Sequence, residues 1–130
     1  MDDRRDHLRA LASGLTRLHA LLMDRERSTY ESRHGRVSSG ELLQLLLTDE
    51  RFAWLRPLSA LLAQIDEAVD AEEPVTALDA ERFHRATYRL VKSGDAGLFQ
   101  DNYREALQES PDVVMAHAEV VRLLPRTRAH

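Results

Sequence analysis

The most specific chemical pattern in the sequence is a pair of Glu-x-x-His units, Glu31 with His34 and Glu81 with His84. Residues three apart on a helix aim a carboxylate and an imidazole at the same face. Di-iron carboxylate bundles use two such units and add a bridging Glu from each of two further helices. Here the first unit ends one predicted helix and the second begins another across the bundle, which puts them at opposite ends. The carboxylates that would complete the site are hard to find among Glu41, Asp66 and Glu67. The expectation is therefore no metal and no cofactor, with Glu31, His34, Glu81 and His84 as the candidate ligands if an ion is held.

Four other side chains could do chemistry or recognition. His117 falls at the spacing 113, 117, 120, 124 on the apolar face of the last predicted helix, where an imidazole is expected as a neutral core or interface residue bonded to a neighbouring carbonyl. Trp54, Arg56 and Pro57 form a compact group, and the Arg56 guanidinium is expected to bridge a carboxylate such as Glu31 or to face outward towards an anion. Tyr30 can cover the core with its ring while its hydroxyl finds a polar partner. Asp66-Glu67 and Glu72-Glu73 are paired acids among solvent-like residues, without the burial that acid/base catalysis needs. No nucleophile elbow, phosphate-cradling glycine loop, His-Glu-x-x-His zinc motif or dinucleotide fingerprint is present, so no catalytic residue is assigned.

The elements that must position these residues are helical. Leu8, Leu11, Leu15, Leu18 and Leu22 step by three and four, the stripe of a long helix predicted from Asp3 to Ser32 across Gly14. Gly35 suits a left-handed C′ position, and Ser38 with Glu41 has capping-box spacing, so a short second helix should carry Leu42, Leu43, Leu45, Leu46 and Leu47. Being apolar almost all round, it is expected to be buried. Thr48 is the expected N-cap of a third helix that reaches Asp70, kinked at Pro57. Further helices follow the 71–76 loop, the glycine-rich 93–97 segment, and Ser110-Pro111-Asp112, with Arg126–His130 a frayed tail. The predicted fold is an all-α, single-domain helical bundle of five to six helices spanning residues 1–130.

Composition narrows the classes. The chain has 130 residues, 18 basic against 22 acidic side chains, a net charge of −4, and no cysteine. That removes disulfides, thiolate catalysis and zinc ribbons. Lys92 is the single lysine, a bias towards arginine that fits a GC-rich bacterial genome. Bases interleaved with acids argue against nucleic acid. No run of eighteen apolar residues and no leader-like N-terminus argue against a membrane and for a soluble, cytoplasmic protein.

Two stretches, Asp49-Glu50-Arg51-Phe52-Ala53-Trp54-Leu55-Arg56-Pro57-Leu58-Ser59 and Ser110-Pro111-Asp112-Val113-Val114-Met115-Ala116-His117-Ala118, resemble segments of small, uncharacterised bacterial all-α proteins with no assigned activity. The resemblance implies a helical fold and transfers no site residue. The functional expectation is a non-enzymatic interaction module that binds itself, as a two-fold homodimer through its first or last helix, or another protein. The alternative is a ligand- or metal-binding bundle with His84, His117, Glu31, Tyr30 and Arg56 around an interior gap.

Overall fold

A computed structural model describes residues 3–125, and among these residues every regular element is an α-helix. In chain order they are α1 (Asp3–His34), α2 (Ser39–Thr48), α3 (Glu50–Ala53), α4 (Arg56–Asp70), α5 (Ala77–Val91), α6 (Leu98–Glu109) and α7 (Pro111–Leu123). The tail expected to fray lies outside the described residues.

α1 is the spine. Its stripe Leu8, Leu11, Leu15, Leu18 and Leu22 is completely buried, and each leucine removed from water contributes about 1.5–3 kcal/mol. α4 and α7 lie against it and run antiparallel to it. For α4, the near ends are marked by His19 beside Ser59 and by Arg5 bonded to the Val69 carbonyl. For α7, Val120 and Leu123 crowd Gly14, while Arg25 pairs with Glu109 just before the other end of the helix. Phe52, Leu55, Leu58, Ile65, Val113 and Val120 complete the centre of the core.

Local chemistry sets the helix ends. Gly35 adopts φ 83°, the left-handed conformation that closes α1, and its N–H donates to the Glu31 carbonyl at 2.9 Å. Ser38 and Glu41 form the capping box of α2, Thr76 and Asp79 that of α5, and Ser110 caps α7 ahead of Pro111.

Two expectations about whole helices are corrected, and one about a cap. The segment from Glu50 to Asp70 is two helices rather than one kinked helix, because Pro57 has no N–H to offer the Ala53 carbonyl. The chain instead makes a tight turn at Trp54 and Leu55, with Leu55 N–H on the Phe52 carbonyl at 3.1 Å, and α4 restarts with Pro57 in its first turn. Asp49, rather than Thr48, caps α3, accepting from the Arg51 N–H, while the Thr48 hydroxyl turns back onto the Gln44 carbonyl inside α2. The second correction is α2, which has no buried residue despite its five leucines. It packs mainly on four-residue α3, which is too short to cover more than one face.

Gly14 permits the close approach of α1 and α7, since a Cβ placed there would sit 3.3 Å from Val120 Cγ2. Val120 is fully buried and cannot give way. Gly14→Val should therefore cost about 1–3 kcal/mol of stability despite the loss of a helical glycine. Urea unfolding measures it, and a variant as stable as the parent would show that the crossing is not tight.

Candidate functional site

Side chains with chemistry converge where the N-terminal turns of α1 meet α5. His7 and His84, on different helices, bring their Nε2 atoms to 3.0 Å with the rings edge to face. Both are half-buried. Burial is the main cause that holds His84 below the usual histidine pKa, and the neighbouring His7 lowers it further. His84 also lines an open groove of about 760 Å³ with Ala77, Ala80, Tyr88, Leu124 and Pro125. Arg4, Arg85 and Arg89 stand on its edges, offset by Glu81 and Asp95. Glu81, three residues before His84, is held by Arg85 at 2.8 Å and does not reach the imidazole pair.

The other Glu-x-x-His unit is elsewhere. At 1.5 Å per residue, Glu31 lies about 36 Å along α1 from His7. Glu31 accepts from the Val37 N–H at 2.8 Å and from Arg27 Nε at 3.4 Å, which fastens the turn after α1. The Val37 bond is the main reason its carboxyl sits below the ordinary range. His34 stacks on Tyr30 with ring centres 4.2 Å apart, and its Nδ1 meets the Tyr30 carbonyl. The two units form no common centre. Among the described residues, no three His, Asp or Glu side chains converge as a metal cage.

The remaining candidates are structural fasteners. Trp54 Nε1 donates to Glu26 at 2.9 Å while its ring meets Phe99. Arg56 does not bridge Glu31: it donates to the carbonyls of Leu46 at 3.0 Å and Leu47 at 2.8 Å, closing the open end of α2. His117 is half-buried, and its partner is a side chain rather than a carbonyl, Tyr103, whose hydroxyl lies 2.7 Å from Nδ1. Burial lowers the His117 pKa, Lys92 adds to the effect, and burial raises that of Tyr103. The interior gap expected around His84, His117, Glu31, Tyr30 and Arg56 does not form, since these residues belong to separate neighbourhoods.

Three polar positions carried no signal in the sequence. His7 has no regular spacing to His84, from which 77 residues separate it. His19 meets Ser59 at 2.7 Å, but Ser59 also bonds back to the Leu55 carbonyl in its own helix, and neither residue lines a described groove. That arrangement ties α1 to α4. On α3, Arg51 Nη1 is buried with no hydrogen-bond partner.

An unpaired buried donor on a charged group is costly, whereas an apolar group of similar shape removes the penalty. Arg51→Met should raise the unfolding free energy by on the order of 1 kcal/mol in urea titration; a loss of stability would mean that the guanidinium has a partner in solution. Burial also holds His19 and His117 below the usual histidine pKa. Groups kept neutral in the folded state, but free to protonate when unfolded, stabilise fully above about pH 6.5. That stability fades as the pH falls through their lowered pKa values. The melting temperature should thus drop between pH 7 and pH 5, with a shallower drop in His117→Gln. A melting temperature that rises in acid would contradict the burial of these imidazoles.

No family model, curated protein or solved structure matches this chain.

Proposed function

We propose that the chain is a non-catalytic helical interaction module that pairs with a second copy of itself through the leucine face of α2. The observation that carries this is the exposure of Leu43 and Leu47, 57% and 61%, on a ten-residue helix whose five leucines include none that is buried. These two leucines are four apart and stand one above the other on the side of α2 turned away from the core, while Leu42, Leu45 and Leu46 pack partly against it.

The chemistry of the face favours its own copy as occupant. Within α2 the only charge is Glu41, in the first turn. In an antiparallel two-fold pair each Glu41 lies at the far end from the other, so the two Glu41 carboxylates do not face one another. The stripe of α1, the first helix expected to mediate pairing, is consumed by the core. On α7, the last helix, Val114 and Met115 are exposed but flanked by Asp112, Glu119 and Arg122. A helix of ten residues is marginal alone. Its capping box and the Arg56 clamp hold it folded, so pairing costs little additional ordering of its backbone.

Light scattering coupled to size exclusion tests the proposal. The parent should be a dimer at high micromolar concentration, and Leu43→Glu with Leu47→Glu should weaken pairing at least about 100-fold, given about 1.5–3 kcal/mol per buried leucine. Circular dichroism should be unchanged. A parent that stays monomeric, or a double variant that dimerises as well as the parent, overturns the proposal.

A further inference from the structure

We propose that His7 and His84 form a two-imidazole site for a late first-row divalent ion of the zinc type, whose remaining coordination positions open into the groove beside α5. Two nitrogens at about 2.0–2.1 Å from one ion, at angles of about 90–110°, lie about 3.0–3.4 Å apart. The Nε2 atoms are already at 3.0 Å, brought together by two helices far apart in sequence, so the core fixes the spacing before any ion arrives. Imidazole is the ligand that suits zinc, copper and nickel, and both rings use the nitrogen that points away from their own backbone.

Without the ion, one ring donates its Nε2–H to the other. To ligate, the donor ring moves that proton to Nδ1, so both Nε2 lone pairs become free and both rings stay neutral; no proton is released overall. With only two protein ligands, the ion keeps positions for solvent or another ligand, the arrangement of an open rather than a closed structural site. The groove decides what fills them. Three arginines on its edges, Arg4, Arg85 and Arg89, face two acids, Glu81 and Asp95. With Glu81 engaged by Arg85, the remaining Arg4 and Arg89 outweigh Asp95; this positive excess opposes a bare dication and favours one that carries an anionic co-ligand such as hydroxide or a carboxylate.

The experiment titrates zinc chloride into the full chain, made without a histidine tag, by calorimetry near neutral pH. The expected result is one ion per chain, bound at least tenfold more weakly by His7→Asn and by His84→Asn, and equally well by His34→Ala. Zinc should raise the melting temperature of the parent, because an ion that binds only the folded state stabilises it. Should either variant fold poorly, histidine nitrogen resonances of the parent give the answer without substitution: zinc should move Nε2 of His7 and His84 and leave His19 and His117 in place. Absence of saturable binding, an affinity in His7→Asn or His84→Asn equal to that of the parent, or unmoved His7 and His84 resonances would reduce the pair to a hydrogen bond between two rings and overturn the proposal.

Discussion

Burial of one leucine stripe organises this molecule. Leu8, Leu11, Leu15, Leu18 and Leu22 have no exposed surface, and α4 and α7 are the helices that pack most extensively on α1. The polar pairings of α1 with α4, α5 and α7 follow from how those helices seat on that stripe. His19 meets Ser59 because α4 lies antiparallel on α1, and Arg25 meets Glu109 because α7 does. His7 meets His84 because α5 closes the N-terminal end. The geometry of the imidazole pair is therefore set by hydrophobic packing a helical turn away, and the pair itself need contribute little to folding.

Three arginines fasten backbone carbonyls at or after helix ends. Arg5 donates to the carbonyls of Val69, Ala71 and Glu73, at and beyond the C-terminal end of α4; Arg27 holds the Val37 carbonyl after α1; Arg56 closes α2. A helix leaves its last carbonyls without donors, and a planar guanidinium with several N–H groups can satisfy two at once. The arginine-rich composition thus has a structural use that does not call for nucleic acid or any anionic partner. By contrast, the ion pairs Arg9 with Asp6, Arg85 with Glu81 and Arg104 with Asp101 lie on exposed helix faces, where such pairs are worth little.

What could be read from the sequence was what local rules determine. The stripe of α1, Gly35 at the end of that helix, the Ser38 and Glu41 box, and Ser110 before Pro111 each depend on residues within a few positions of one another, and each is present. The failures came where tertiary context decides. Pro57 was legible as a disturbance, but whether a helix bends or breaks depends on how Phe52, Leu55 and Leu58 all reach the core, and a tight turn at Trp54 and Leu55 allows it. The leucines of α2 predicted burial because composition records the wish of a side chain to leave water, not whether a neighbour exists to cover it. The imidazole pair was half visible: His84 stood out through Glu81, but His7 carries no periodic signal, and only the closing of α5 on α1 brings the two rings together.

That difference between α2 and the rest of the chain bears on its role. A ten-residue apolar helix with nothing over its outer face should fray, because its intrinsic stability is small and its leucines gain little from a four-residue neighbour. Yet both its ends are secured, by the capping box at the start and by Arg56, whose two hydrogen bonds reach back from α4, at the finish. The surface is thereby kept in helical form while Leu43 and Leu47 remain uncovered. A preformed helix that loses little conformational freedom on docking can turn modest buried area into usable affinity, whereas a loop carrying the same leucines would lose much of that gain to ordering. Under the proposed pairing, the fasteners around α2 would serve recognition as well as the fold: without Arg56 the leucines would still be present, but no longer held as a face.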